Sequence, residues 1–462
     1  MVAPARVAAV EALRVVESGS ATLGDALAYQ RSRLHSERDR ALVSEITLGT
    51  LRWRAALDHA VAWAAGRPLD RIDPAVLHIL RLSAYQLLHL DRVPASAVVD
   101  DAVDLTRRAG HARAAGFVNA VLRGLSRQRR RITWPPRPSS DPLATPASRE
   151  EALDFLSVTL SHPRWLATRW LDRYGFDAAE QWARFNNGHA PLTLCVNTLR
   201  TTRDDLLARL RAQDVTVEPT RRAPHGLIVS GPHPLAAHIN EAGLFTVQDE
   251  SSQLVTELVG ATPGQRLLDA CASPGNKTVA LASVMNDQGF IVAADVKRVR
   301  MKLLSSTVQA SGATCVRRVQ TDLRHALPFR SDFDAVLVDA PCSGLGTVRR
   351  DPDIKWGRRE SDLPILAEAQ RTMLTHAAAV VRSGGRLIYA TCSSEPEENE
   401  LVIDAFLREH RAFAKVDLRM ASNRHAAIQE LVDGEGYFRT LPHEHGLEAF
   451  FGAVLMRTSR LV

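Results

Sequence analysis

A chain of 462 residues, 45% apolar and 24% charged, has the composition of a folded protein with two or three compact units and excludes a disordered or fibrous polypeptide. No run approaches the ~18 apolar residues of a membrane span, and Glu11 interrupts any signal-like start, so a cytoplasmic chain without membrane segments is expected. The formal charge of +6 is lopsided: residues 1–135 hold 20 Arg and no Lys against 13 acidic residues (+7), leaving 38 basic against 39 acidic groups (−1) for residues 136–462. An arginine-rich N-terminal third suits phosphate backbones, which makes nucleic acid a candidate partner. The plain alternative is a solvated helix face in a chain with only five Lys against 53 Arg.

Residues 1–131 read as helices throughout, an all-α bundle. Asp73 as N-cap and Pro74 at the first helical position open one helix, whose Val76, Ile79, Leu80, Ser83, Ala84, Leu87 and Leu88 form one stripe. Further helices are expected over about 96–108, stopping at Gly110, and over about 116–127, with Phe117, Val121, Leu122 and Leu125 inward. Pro135, Pro136, Pro138, Pro142 and Pro146 mark residues 132–148 as a semi-extended linker. Residues 149–255 read as helix to about Ala190 and then as a small α+β subdomain. Its short strands at 192–196, 215–218, 227–229 and 244–247 surround a helix at about 202–212. Residues 256–462 alternate strand and helix, with strands at 266–269, 290–295, 315–320, 335–339 and 386–391. That alternation predicts an α/β fold with a mostly parallel, doubly wound sheet, which binds its ligands at the carboxyl ends of the strands.

Five cysteines, Cys195, Cys271, Cys315, Cys342 and Cys392, are widely spaced and odd in number. They form neither a disulfide framework nor a C-x-x-C zinc site, so no metal is expected. The polar residues gather at strand ends. The first strand runs into Asp269-Ala270-Cys271-Ala272-Ser273-Pro274-Gly275-Asn276-Lys277-Thr278, a tight loop opening a helix. Gly275 lets a ligand approach the backbone there, and the helix start favours an anionic group; a purely structural turn is the alternative. Asp295 ends the second strand, where nucleotide-binding folds place an acid for ribose hydroxyls, or else it caps the next helix. The fourth strand ends Val338-Asp339-Ala340-Pro341-Cys342-Ser343-Gly344 and the fifth Tyr389-Ala390-Thr391-Cys392-Ser393-Ser394, followed by a candidate capping box of Ser394 with Glu397. A single free Cys is ordinarily a small buried hydrophobe. Two at adjacent strand tips, one beside an Asp, point to thiol chemistry in one pocket.

These three strings resemble the hallmark motifs of the RNA cytosine-C5 methyltransferase family of the Fmu/Sun (RsmB) type. The helical start is similar to the NusB-like domain of those members at Ser36-Glu37-Arg38-Asp39-Arg40, Gly49-Thr50-Leu51-Arg52 and Gly116-Phe117-Val118-Asn119-Ala120-Val121-Leu122-Arg123. The resemblance implies a Rossmann-like S-adenosylmethionine-dependent methyltransferase domain preceded by the small α+β subdomain and an all-α NusB-like bundle. It implies RNA as partner, 16S rRNA above all, with a monomer favoured. S-adenosyl-L-methionine contacts would come from Cys271, Ala272, Ser273, Pro274, Gly275, Asn276, Lys277, Asp295, Asp322 and Asp339. Cys392 would be the nucleophile, Cys342 the thiol assisting product release, and Asp339 a partner of the cytosine N3 and amine. The chain departs from the family pattern at Asn276, where a second Gly is usual, at Glu448-Ala449 and at Cys195. Asn276 is expected to preserve the loop through its tolerance of left-handed backbone angles. Three other readings stay open: the same chemistry on transfer RNA or 23S RNA, a DNA cytosine methyltransferase using Cys342, and a catalytically silent NusB-like RNA-binding protein.

Overall fold

The computed structural model describes residues 2–138, 144–230, 243–420 and 426–458; Pro142 of the expected linker lies outside them. Where the sequence places boundaries at 131, 148 and 255, packing separates two compact units, Met1–His189 with Val348–Glu360, and Ala190–Thr347 with Ser361–Val462. No helix among the described residues is long and apolar enough to cross a membrane.

The first unit is helical: α1 (Pro4–Glu17), α2 (Leu23–Ser32), α3 (Glu37–Arg52), α4 (Arg54–Ala65), α5 (Pro74–His89), α6 (Ala95–Arg108), α7 (Ala115–Gln128), α8 (Pro146–Asp154), α9 (Arg164–Tyr174) and α10 (Phe176–Asn187). Asp73 caps α5 as expected, its side chain accepting from the Ala75 N–H at 2.9 Å. More than a stripe of α5 is covered, since Arg81, Leu82, Tyr85 and Gln86 are buried too, while Leu88 is only half-buried. Arg81 tolerates burial because Asp58 accepts from it twice, at 2.6 and 2.8 Å. On α7, Val121, Leu122 and Leu125 are buried as expected, together with Val118, while Phe117 is half-buried under the Arg67 guanidinium, 3.9 Å from its ring centre. Helices α9 and α10 join this unit through Trp170 and Trp182, both fully buried and stacked at 5.2 Å. The segment Val348–Glu360 joins it through Lys355, whose buried Nζ donates to the Arg52 and Ser161 carbonyls at 2.9 and 2.6 Å.

Helix α3 meets α5 at Gly49, where a Cβ would lie 1.9 Å from Cζ of Tyr85. Tyr85 is 4% exposed and its hydroxyl donates to Glu45 at 2.6 Å, so the ring cannot swing clear. Gly49→Ala is therefore expected to destabilise the helical unit by about 3 kcal/mol, the upper end of ordinary overpacking, read as a lowered midpoint in urea unfolding.

The second unit begins with β1 (Leu192–Val196), α11 (Arg203–Arg211), β2 (Thr216–Pro219), β3 (Gly226–Ser230) and β4 (Phe245–Val247), an antiparallel sheet in the order β2-β3-β1-β4. Then come α12 (Glu250–Glu257), β5 (Arg266–Asp269), α13 (Asn276–Val284), β6 (Phe290–Asp295), α14 (Arg298–Ser311), β7 (Val316–Gln320), β8 (Phe333–Asp339), α15 (Asp362–Val380), β9 (Val381–Thr391), α16 (Glu400–Glu409), β10 (Phe413–Lys415), β11 (Phe438–Thr440) and β12 (Phe450–Arg457). The large sheet runs β10-β12-β9-β8-β5-β6-β7, with β11 also on β12. Strands β9, β8, β5, β6 and β7 are mutually parallel, and β12 is antiparallel to β9. This is the expected Rossmann-like α/β architecture, extended by three antiparallel strands that the sequence reading did not foresee.

Both faces of β5, β6, β8 and the second half of β9 are covered, which is why they read as apolar runs, whereas the edge strand β7 (VRRVQ) is largely exposed. Leu267, Ile291, Leu337 and Ile388 face a core with α12 to α14, while Leu268, Val292, Val338 and Tyr389 face one with α15 and α16. All five parallel strands deliver their carboxyl ends to one edge. Because β5 lies between β6 and β8, the chain reverses its direction of travel there, and the crevice belongs at that point.

Candidate active site

Cys342 follows β8 and Cys392 follows β9, and these strands are parallel neighbours with Asp339 opposite Ala390. The Ala340 N–H continues the pairing, donating to the Ala390 carbonyl at 2.9 Å. The expected juxtaposition results: the two sulfur atoms are 3.2 Å apart and both residues are partly accessible. The Cys342 thiol is held well above its ordinary range, first by its hydrogen bond to Cys392, then by burial and by the charges of Cys392 and Glu398. Of the two thiols, Cys342 is thus the one whose surroundings oppose loss of its proton.

Lys277 stands beside this pair. Its ammonium is 2.7 Å from Asp339 Oδ2 and 3.0 Å from Ser252 Oγ. Burial opposes the charge of Lys277, but Asp339 above all, then Asp269 and Cys392, hold it above the usual lysine value. An enclosed cation is thereby kept near the thiol pair.

The loop from Asp269 to Thr278 is braced on the neighbouring strand. The Ala272 N–H donates to Ala294 O at 2.9 Å and the Ser273 N–H to Asp295 Oδ2 at 3.2 Å. Asp295 is not the cap of α14, whose N-cap residue is Lys297; it supports the loop and accepts from the Lys297 N–H at 3.3 Å. Gly275 has φ 109°, and a Cβ there would lie 3.0 Å from Leu304 Cδ1 and 3.2 Å from Thr307 Cβ. Asn276 needs no left-handed tolerance, contrary to the expectation above. It is the first residue of α13, and its side-chain amide donates to Val247 O at 2.9 Å. Asp322 lies two residues beyond β7, and the Thr321 N–H donates to Asp295 O at 3.2 Å, which ties the two acids' segments together. Arg324 donates to both oxygens of Asp322 and pushes its pKa down to about 2.

The other three thiols are held protonated by their surroundings. Burial, then the charges of Asp339, Asp269 and Asp295, push the Cys271 thiol up. Burial also raises Cys195 and Cys315 to about 12.

Asp269 lies beneath the loop, 1% exposed, with Thr278 Oγ1 donating to Oδ2 at 2.6 Å and Oδ1 without a partner among the described residues. Burial pushes its pKa up to about 7, against the hydrogen bond from Thr278. An Asp titrates near 3.9 when unfolded, so between those values the folded state binds the extra proton. Its stabilising effect is full below about pH 4 and is lost as pH rises through about 7. Thermal melts across that window should show the decline, and Asp269→Asn should flatten it.

Sequence reasoning missed Glu398 and its partners. Glu398 is fully buried and receives hydrogen bonds from Ser343, Ser393 and Gln370, beneath both thiol loops. The acid-rich run from Glu395 to Glu400 directly after the Cys392 motif was the available signal. The capping box of Ser394 with Glu397 does not form: Ser394 Oγ donates to Glu395, a 3-10 turn covers Pro396–Glu398, and α16 begins at Glu400. The departure at Glu448-Ala449 lies behind the Cys392 loop, where the Ala449 N–H donates to Gly346 O at 3.0 Å.

Comparison with known proteins agrees with this architecture. Residues 257–456 match the family described as 16S rRNA methyltransferase RsmB/F, residues 3–127 the NusB family, and residues 162–236 the RsmF/B-like ferredoxin-like domain. The chain is 34% identical over 418 residues to the probable ribosomal RNA small subunit methyltransferase B of Bacillus subtilis, covering 90% of each. It is 31% identical over 460 residues to the ribosomal RNA small subunit methyltransferase B of Pseudomonas syringae, covering 98% of this chain and 96% of the relative. Among solved structures, PH0851 superposes with a TM-score of 0.79 at 27% identity, covering 98% of this chain and 99% of that one.

Proposed function

Because the chain belongs to the RsmB/F family of 16S rRNA methyltransferases, which use S-adenosylmethionine, we propose that it methylates carbon 5 of a cytosine in 16S rRNA through a transient bond from Cys392 to carbon 6. The observation that carries this reading is the thiol pair at 3.2 Å, with the Lys277 ammonium beside it.

Carbon 5 of cytosine is a poor nucleophile until the ring is activated. The Cys392 thiolate adds to carbon 6, forming a C–S bond and moving the C5=C6 electron pair toward carbon 5. Asp339 and Lys277 offer an acceptor and a donor to the N3 and amine edge, where charge changes as addition proceeds. Bound S-adenosylmethionine supplies the electrophilic methyl group that carbon 5 takes up. Cys342 then receives the carbon 5 proton, directly or through water; C5=C6 re-forms and Cys392 leaves as a thiolate. Cys342 first gives its own proton to water; bonding of Cys392 to carbon 6 favours this by removing the Cys392 charge, one of the two charges that held the proton, the other being that of Glu398.

The residues present suit a ligand that carries ribose hydroxyls and a cationic end. Carboxylates at Asp295 and Asp322 close neighbouring strands of one sheet edge, with Asp339 at the tip of β8, and residues 271–277 lead into a helix start. The target base has to leave its stack to reach this pocket, which favours single-stranded or loop RNA. Phosphates would be engaged by the exposed arginines of the helical unit. Replacing exposed Arg130 and Arg131 together by alanine should weaken RNA binding and reduce the slope of log affinity against log salt by roughly one for each phosphate no longer neutralised.

The test is product identity. Unmethylated 16S RNA, 23S RNA and transfer RNA are incubated with the enzyme and labelled S-adenosylmethionine, then digested to nucleosides. 5-Methylcytidine from 16S RNA alone is expected. Label in another base, or only in another RNA, refutes the reading.

A further inference from the structure

The two thiols sit on loops from different strands, joined beneath by one side chain. Glu398 is fully buried. Its Oε1 accepts from the Ser343 N–H at 2.8 Å and the Gln370 amide at 2.9 Å. Its Oε2 accepts from Ser343 Oγ at 2.5 Å and Ser393 Oγ at 2.6 Å. Ser343 directly follows Cys342 and Ser393 directly follows Cys392. Gln370 also donates to Pro341 O at 3.0 Å, just ahead of Cys342. The Tyr389 hydroxyl, donating to Glu398 O at 2.6 Å and standing 3.1 Å from Gln370 Oε1, orients both. All of these partners are neutral. A carboxylate at this depth is costly unless fully hydrogen-bonded, and four donors meet that requirement without cancelling its charge.

We infer that Glu398 decides which of the two thiols is the nucleophile: its buried carboxylate is bonded twice to Ser343 and, through Gln370, to Pro341, on either side of Cys342, but only once to Ser393 beside Cys392, so its charge falls chiefly on the Cys342 loop while the same bonds hold the two sulfur atoms within reach of each other. The surroundings of the pair are asymmetric. The Glu398 carboxylate acts on Cys342 and helps hold that thiol protonated. Lys277, paired with Asp339 at 2.7 Å, lies on the Cys392 side of the thiol pair, close enough for that thiol to favour its charge. Glu398 is a positioning residue, since both its oxygens are turned to the loops. The inference rests on the covalent reading only for what each thiol does in turnover; the order of their acidities stands apart from it.

The experiment uses the full-length protein without RNA. Iodoacetamide alkylation of each cysteine is followed against pH by peptide mass spectrometry, which separates the five thiols. In the parent, Cys392 is expected to react at neutral pH and Cys342 only at much higher pH. In Glu398→Gln the midpoint of Cys342 should fall by about one unit, making it roughly tenfold more reactive at a given pH below the midpoint. An unmoved midpoint in a folded variant overturns the charge assignment. Should that variant fail to fold, Ser393→Ala tests the tether, because it removes one donor and keeps the charge. It should leave the order of alkylation intact and slow methyl transfer about tenfold; parental activity would overturn the proposal. Failure of the methylation reading shows instead as absence of 5-methylcytidine with the alkylation order intact.

Discussion

Replacing Cys392 by alanine is expected to remove both methyl transfer and any covalent RNA complex, while replacing Cys342 by alanine leaves a complex that accumulates. The two outcomes follow from opposite ends of one cycle. Without a sulfur at 392 nothing adds to carbon 6, and the rate should fall by roughly three orders of magnitude or more, the scale on which covalent nucleophiles matter. Without Cys342 the C–S bond still forms and carbon 5 still takes its methyl group, but removal of the carbon 5 proton is slowed and Cys392 stays attached. A denaturing gel with labelled 16S RNA reads both results at once, as free RNA with the first variant and a retarded, protease-sensitive band with the second. The 3.2 Å separation makes either sulfur a sterically possible attacker, so the variants discriminate. A complex that persists without Cys392 would transfer the nucleophile's role to Cys342.

The parts of this site that could be read from the sequence are those that depend on local order along the chain. Alternation of strand and helix, and reactive residues at strand ends, anticipated that Cys342 and Cys392 would emerge together, and the N-cap at Asp73 followed from its neighbours alone. What escaped depends on partners distant in sequence. Glu398 lies 55 residues from Ser343, and no periodicity announces a buried carboxylate whose donors come from the Cys342 loop, the Cys392 loop and helix α15. Asn276 was misjudged because the left-handed residue of its loop is Gly275 alone, leaving Asn276 to start the helix. The sequence reading places Val348–Glu360 within the domain of residues 256–462, whereas it packs with the helical unit. Lys355 and Trp356 of this segment donate to carbonyls of Arg52 and Leu51, some 300 residues earlier, a pairing that spacing cannot encode. Hydrophobic patterning reports which face of an element is covered, and long-range packing decides by what.

Gly346→Ala should disable the site from behind it. Gly346 is buried in the turn after Cys342, and its N–H donates to Cys392 O at 2.9 Å. A Cβ there would lie 1.9 Å from Ala449 O and 2.8 Å from Cys392 O. Both are backbone atoms, so no rotamer change relieves the clash; the turn must move away from β12 or the Cys392 loop must shift. Overpacking of this kind costs about 3 kcal/mol, visible as a lowered melting temperature. The effect on turnover should exceed the effect on folding. Displacing a reacting sulfur by about 1 Å costs on the order of a hundredfold in rate, so kcat should fall by about that factor at temperatures where the variant is fully folded, with slower alkylation of Cys392 as a second readout. Gly357→Ala is the matched control, because a Cβ at Gly357 meets nothing within 4 Å, and it should melt and turn over like the parent. A folded Gly346→Ala enzyme with parental kcat would mean that the close approach of Gly346, Cys392 and Ala449 does not position the thiol, and the geometry that places Cys392 against Cys342 would have to be maintained by the Glu398 network alone.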